Sequence, residues 1–115
     1  MKRFKYAFAG IKALFEKDYH FAVHLMIALA VMVMGFLFDL SSVEWLFIIS
    51  AIFIVLITEI INTSVEYTVD LVTDDYHELA KYAKDTSALA VLLSAFYAVI
   101  TGLIIFGPKL IELFT

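Results

Sequence analysis

Residues 45–70 read WLFIISAIFIVLITEIINTSVEYTVD, an apolar run that becomes polar only in its second half. The apolar part, through Ile61, is long enough to cross the roughly 30 Å of bilayer hydrocarbon. Polar side chains then recur three or four residues apart, at Glu59, Asn62, Glu66 and Asp70. At 3.6 residues per turn these positions share one face of a helix. The stretch therefore predicts a membrane-spanning helix with an acidic stripe toward one end.

The composition of the whole chain agrees with a membrane protein. Of its 115 residues, 63% are apolar and only 17% are charged, whereas about a quarter are charged in soluble domains. A single domain of this length cannot bury so many apolar side chains, so lipid must solvate part of them. The absence of cysteine excludes disulfides and thiolate sites. The net charge of −4 argues against a nucleic-acid partner.

Hydropathy divides the chain into a surface helix and three spans, which predicts an all-α membrane protein. Apolar residues at three- and four-residue spacing indicate an amphipathic helix lying in the membrane interface before the first span. Either Ser41 or Ser42 is expected to cap the second span, and Thr86 or Ser87 to open the third. Pro108 is expected to end the third, because proline cannot continue a helix. The predicted segments are the surface helix 1–18, spans 20–40, 44–70 and 86–107, and a connection 71–85 that is expected to be partly helical at residues 77–81.

Basic residues predict the orientation in the cell membrane. The segment before the first span carries Lys2, Arg3, Lys5, Lys12 and Lys17. The first turn has no basic residue, the 71–85 connection has Lys81 and Lys84, and the tail has Lys109. Because positive charge concentrates on the cytoplasmic side, the N-terminus and the 71–85 connection of this multi-pass protein should face the cytoplasm.

The acidic stripe predicts chemistry at the cytoplasmic end of the second span. An intramembrane carboxylate costs at least about 2–3 kcal/mol, so Glu59 is expected to be functional. It is suited to proton abstraction as a general base, whereas the shallower Glu66 is suited to Mg²⁺, which prefers carboxylate oxygens and substrate phosphates. Asp70 belongs to the stripe or forms a solvated helix end. This layout fits a lipid alcohol attacking a nucleotide phosphate at the membrane surface.

Further polar groups lie at the same membrane face. Either Glu16 or Asp18 is a candidate to complete the metal site, and the alternative is that both are solvated interface charges. Lys84 is a candidate for binding phosphate as a point charge or for snorkelling to the interface. His20 and His24 are interpreted as polar groups at a helix end and not as a zinc site. Because the chain lacks a Walker-type loop, a kinase of this kind would not use a soluble nucleotide-binding fold.

The sequence also resembles a known family. EIINTSVE at residues 59–66, followed by Asp70 and by YHELAKYAKD at residues 76–85, is similar to the small prokaryotic diacylglycerol kinase and undecaprenol kinase family. Its signature has the form E-[IL]-x-N-[ST]-x-[IV]-E with a downstream A-K-D. The resemblance extends over nearly the whole chain, from Tyr6 and Gly10 into the third span.

The resemblance implies a homotrimer that binds MgATP from the cytoplasm at sites shared between neighbouring subunits. It implies that Glu59 is the general base, that Glu66 and Asp18 bind Mg²⁺, and that Asn62 supports the stripe. The implied ATP contacts are Tyr6, Asp18, Glu66, Asp75, Tyr76, His77, Lys84 and Asp85. The chain departs from the family pattern around Asp18, where Glu16 is an alternative ligand.

Several functions remain compatible with the residues. The run Val23-His24-Leu25 and the tail at residues 104–109 are similar to the undecaprenol kinase branch, which favours undecaprenol as the lipid alcohol. The alternatives are a kinase for diacylglycerol or a ceramide-like lipid, a proton- or ion-relay subunit that uses Glu59, and a structural membrane partner. The gathering of acidic and basic residues at one membrane face favours a kinase over the last two.

Overall fold

The computed structural model describes residues 2–115, which form four helices and no strand. The helices are α1 (Lys2–Lys17), α2 (His20–Leu37), α3 (Ser42–Val72) and α4 (Glu78–Phe114). The last three are long and apolar enough to cross a membrane. This confirms the predicted all-α architecture with three spans. The predicted spans began or ended a few residues away from α2 and α3, at 20–40 and 44–70.

The turn between α2 and α3 is built from local hydrogen bonds. Asp39 adopts a φ of 54°, and the N–H of Leu40 bonds the Gly35 carbonyl at 3.3 Å, the pattern of a Schellman helix end. Ser41 then caps α3, and its side chain and that of Glu44 each accept the other's backbone N–H. This reciprocal capping confirms Ser41 as the predicted cap.

α3 packs most extensively against α4. At one end, a buried apolar cluster is formed by Leu40, Ile48, Ile105 and Phe106. Farther along, two pairs of hydroxyl groups join the helices. Ser50 Oγ lies 3.0 Å from the Tyr97 hydroxyl, and Thr58 Oγ1 lies 2.9 Å from Ser94 Oγ. These pairs give the hydroxyl groups hydrogen-bond partners, which lipid tails could not provide, and they fix the register of α3 against α4.

The predicted end of the third span at Pro108 is wrong, because α4 continues through this residue to Phe114. Proline removes one backbone hydrogen bond, but contacts on both sides hold the helix in place. Phe106 is buried before it, and Lys109 Nζ lies 3.3 Å from Glu44 Oε2 on α3 after it. Tertiary packing therefore outweighs the local cost of proline.

The helix that carries the third span begins before Thr86 and Ser87, inside the 71–85 connection. α4 begins at Glu78, and His77 caps it by accepting the backbone N–H of Leu79 at 3.1 Å. A hydrogen bond of 2.6 Å from the Tyr82 hydroxyl to Glu78 supports the first turns of the helix. Most of the 71–85 connection is thus helical, in agreement with the partly helical segment expected there. α3 and α4, with 31 and 37 residues, are both longer than the roughly 20 residues that cross the hydrocarbon.

α1 docks against the polar end of α3. The Tyr67 hydroxyl donates to the Ala13 carbonyl at 2.8 Å, and the Lys17 ammonium lies 4.9 Å from the centre of the Tyr67 ring. Leu14 is buried beneath α1, while Phe4 and Phe8 on the same helix are exposed. α1 therefore closes one side of the region that contains the acidic stripe.

Candidate active site

A cavity of about 120 Å³ lies where the end of α1 and the start of α2 face α3. We call it the polar cavity, and its polar lining residues are Lys17, Asp18, His20, His24, Glu59, Asn62, Thr63 and Glu66. It brings together four residues that the sequence identified as candidates: Asp18, Glu59, Asn62 and Glu66. Since these come from two separate parts of the chain, their meeting is a property of the fold.

Glu59 is the deepest carboxylate of the stripe. About 20 residues span the hydrocarbon, so a span that starts at Trp45 reaches the membrane boundary near Val65. Glu59 then lies inside the hydrocarbon region and Glu66 at its edge. The Glu59 side chain is only 12% exposed, which fits a carboxylate that faces a cavity instead of lipid.

The partner of Glu59 is His24, a contact that the sequence interpretation did not predict. His24 lies in the second turn of α2, and its Nε2 is 3.2 Å from Glu59 Oε1, so this histidine faces the acidic stripe. The available signal was that His24 is the one strongly polar residue between Phe21 and Phe38. A lone polar side chain in a span usually faces another polar group.

Glu66 is held by a chain of hydrogen bonds that begins on α4. Ser87 Oγ donates to Asn62 Oδ1 at 2.6 Å, and Asn62 Nδ2 donates to Glu66 Oε1 at 2.8 Å. Both ends of the Asn62 amide are therefore engaged, which fixes its orientation. Ser87 was expected only as the start of a span, and no sequence pattern identified it as part of this chain.

Asp18 forms the rim of the polar cavity opposite α3. It accepts hydrogen bonds from His20, at 2.6 Å from the ring Nδ1 and at 3.1 Å from the backbone N–H. These bonds, that of the ring first, lower the pKa of Asp18 below its usual value, so the side chain is an anion at neutral pH. Glu16, the alternative candidate, is outside the cavity, where it pairs with Lys12 at 3.8 Å.

The donor groups of the polar cavity suit Mg²⁺. Within residues 2–115, no three His, Asp or Glu side chains form a metal-binding cluster by themselves. Mg²⁺ does not need one, because it is usually held by one or two carboxylates together with substrate phosphates and water. Asp18 and Glu66 are two hard oxygen donors in one cavity, and this number and type match the requirement.

Asp70 joins three helices at the same end of the molecule. It accepts Lys17 Nζ from α1 at 2.8 Å and Lys84 Nζ from α4 at 2.7 Å. The hydrogen bond to Asp70 raises the pKa of Lys17, so this ammonium remains charged at neutral pH. Asp70 thus holds the ammonium groups of Lys17 and Lys84 beside the acidic stripe. Of these two lysines, Lys17 also lines the polar cavity.

The remaining predicted nucleotide contacts do not line the polar cavity of this chain. Tyr6 and Tyr76 are 68% and 82% exposed, and His77 serves as the cap of α4. Asp75 lies in the short connection before it, and Asp85 pairs with Lys81 on α4. One chain thus gathers Asp18, Glu59 and Glu66 in the polar cavity but leaves these five residues outside it.

A second cavity, of about 240 Å³, continues from His24 into the membrane region between α2, α3 and α4. We call it the apolar cavity, because its lining is almost entirely aliphatic. Ile27 and Val31 line it from α2, Val55 from α3 and Phe106 from α4. His24 lines both cavities, so the two meet at this side chain.

Comparison with known proteins agrees with this arrangement. The sequence model of the family described as prokaryotic diacylglycerol kinase matches residues 5–106. The chain is 44% identical over 109 residues to undecaprenol kinase of Bacillus subtilis, and the alignment covers 95% of this chain and 89% of that protein.

Two diacylglycerol kinases are also similar. The protein from Synechocystis is 40% identical over 111 residues, covering 96% of this chain and 63% of that protein. The protein from Escherichia coli is 32% identical over 100 residues, and the alignment covers 87% of this chain and 82% of that protein. The residues matched by the family model include all of α2 and α3 and most of α1 and α4.

Proposed function

Because this chain belongs to the prokaryotic diacylglycerol kinase family, and is thus a membrane lipid kinase, we propose that it transfers the γ-phosphate of ATP to an isoprenoid alcohol of the undecaprenol class. The observation that carries the substrate is the 44% identity to an undecaprenol kinase over 95% of the chain. The kinase assignment replaces the hypotheses of a relay subunit and of a structural partner.

Glu59 is the general base of this proposal. It accepts the proton of the lipid hydroxyl, whose oxygen attacks the γ-phosphorus of ATP as the bond to the β,γ-bridging oxygen breaks and ADP leaves. Its position inside the hydrocarbon region, 12% exposed, supports this role, because a base there reaches a lipid alcohol and is shielded from bulk water.

Glu66 and Asp18 would hold Mg²⁺, which neutralises charge on the phosphates of ATP when bound. Asn62 orients Glu66 toward the polar cavity. Lys17 is placed to attract the phosphates from the rim, and Lys84 stands beside it on Asp70. The division into a deep base and a shallower metal ligand follows the depth of each residue in α3.

The location and assembly belong to the same proposal. The protein lies in the cell membrane with the N-terminus and the α3–α4 connection in the cytoplasm, where ATP is available. A homotrimer would bring Tyr6, Asp75, Tyr76, His77 and Asp85 of one subunit near the polar cavity of its neighbour. Their exposure in the single chain supports such sharing.

The test is a phosphotransfer assay with purified protein in bilayers, given labelled MgATP and either undecaprenol or diacylglycerol. We expect phosphate on undecaprenol at a rate at least about tenfold above that on diacylglycerol, which is about 1.4 kcal/mol in transition-state discrimination. Glu59→Gln serves as the inactive control. A preference for diacylglycerol would show that the lipid substrate is diacylglycerol and not undecaprenol. Inactivity on both lipids would refute the proposed function.

A further inference from the structure

The contact between His24 and Glu59 connects two helices at the base. α2 supplies His24 and α3 supplies Glu59, with Nε2 and Oε1 3.2 Å apart. Within the described part of the chain, no other cation-forming side chain lies within 4 Å of the Glu59 carboxylate. The orientation of this carboxylate therefore depends on a single residue of α2.

The two oxygens of the Glu59 carboxylate can serve different partners, one the His24 ring and the other the substrate hydroxyl. His24 Nε2 lies 3.2 Å from Oε1, within ion-pair distance but not aligned as a hydrogen bond, and a small turn of the ring would let an N–H on that nitrogen donate to Oε1. Oε2 then remains to accept the proton of a substrate hydroxyl. Hydrogen bonds of catalytic groups are often long or poorly aligned before substrate binds and tighten in the substrate complex, so a contact of 3.2 Å is close enough for this function.

His24 also stands where the two cavities meet. On one side it lines the polar cavity with Glu59, and on the other it lines the apolar cavity with Ile27 and Val31. A lipid alcohol has the same division, since its hydroxyl is polar and the adjoining carbons are apolar. A hydroxyl that reaches Glu59 from the apolar side therefore passes His24.

We propose that His24 is a positioning residue that turns the Glu59 carboxylate toward a lipid hydroxyl arriving from the apolar cavity. The inference rests on the proposed function, because it assigns a role with respect to the base of that reaction. It adds a histidine of the first span to a site whose acidic groups come from α3 and the α1–α2 connection.

Two substitutions test this role. His24→Leu keeps the size and removes the donor, and we expect kcat to fall about 10- to 100-fold, as for loss of a hydrogen bond to a charged group. The KM for MgATP should stay within about twofold, because Asp18 and Glu66, and not His24, are the residues proposed to hold the metal and its nucleotide. His24→Gln places an amide N–H near the position of Nε2 and should recover most of kcat. Val23→Ala, on the same turn but 40% exposed, is the control and should behave as wild type.

A double-mutant cycle separates positioning from independent action. If His24 acts through Glu59, adding His24→Leu to Glu59→Gln should cost less than about twofold more in kcat. The proposal is overturned if His24→Leu retains full kcat, if His24→Gln is no better than His24→Leu with MgATP binding intact, or if the cost is the same in both backgrounds. Wild-type protein that phosphorylates neither lipid would instead refute the kinase function itself, and the role of His24 with it.

Discussion

At the scale of single residues, the two candidates for the second metal ligand differ in their surroundings. Asp18 lines the polar cavity and is held as an anion by His20, whereas Glu16 is directed away and pairs with Lys12. Both carboxylates are close in the sequence, and their spacing alone leaves the choice open. The bend between α1 and α2 separates them.

Asp18→Asn should therefore raise the Mg²⁺ concentration needed for half-maximal activity by about tenfold or more, because a neutral amide binds Mg²⁺ far less well than a carboxylate. Glu16→Gln is the matched control and should leave the Mg²⁺ dependence unchanged. Titration of activity with Mg²⁺ at saturating ATP measures both. An effect of Glu16→Gln alone would assign the ligand to α1.

At the scale of the elements, α4 takes part in the site although none of its side chains lines the polar cavity. Ser87 on α4 holds Asn62, which in turn holds Glu66. Next to it, the Thr86 hydroxyl donates to carbonyl groups of its own helix, those of Tyr82 and Ala83. The two neighbouring hydroxyls therefore differ in whether they reach α3.

Ser87→Ala should weaken MgATP binding by about two- to twelvefold, equivalent to the roughly 0.5–1.5 kcal/mol of one hydrogen bond. Thr86→Ala removes a hydroxyl at the adjacent position and should have no such effect. Equilibrium binding of MgATP to both variants in the same detergent provides the measurement. Equal affinities for the two variants would mean that the orientation of Asn62 does not depend on α4.

The elements also show what hydropathy and periodicity can predict. The three spans, the acidic stripe and the Ser41 cap follow from local rules, since each depends on residues within a few turns. The extent of α4 does not, because Phe106 and the Lys109–Glu44 contact stabilise it beyond Pro108. Likewise, His24 faces Glu59 because of the way α2 packs on α3. The spacing of residues within α2 does not predict this packing.

At the scale of the whole molecule, a single chain leaves much of its apolar surface uncovered. Only 6% of the residues in the span of α2 are buried, and 22% in those of α3 and α4. Lipid or neighbouring subunits must cover the rest. The homotrimer with shared sites stays a prediction, in which neighbouring subunits cover part of these exposed faces.

Mixing of inactive chains tests sharing of sites. If a neighbour supplies Asp85, co-assembly of Glu59→Gln with Asp85→Asn chains should restore activity at about one quarter of the sites in a random mixture. Glu59→Gln mixed with Glu66→Gln is the control and should remain inactive, because both residues line the cavity of the same chain. Activity in neither mixture, although mixed oligomers form, would indicate that each chain carries a complete site.

The central claim is that the two glutamates of the polar cavity divide the reaction between them, and MgATP binding measured alongside turnover tests it most directly. Glu59→Gln should lower kcat by about 10²–10⁴, the usual cost of losing a general base, and leave the affinity for MgATP nearly intact. Glu66→Gln should weaken MgATP binding and shift the Mg²⁺ dependence as well as lower turnover. Loss of MgATP binding in Glu59→Gln, with normal binding in Glu66→Gln, would contradict the account.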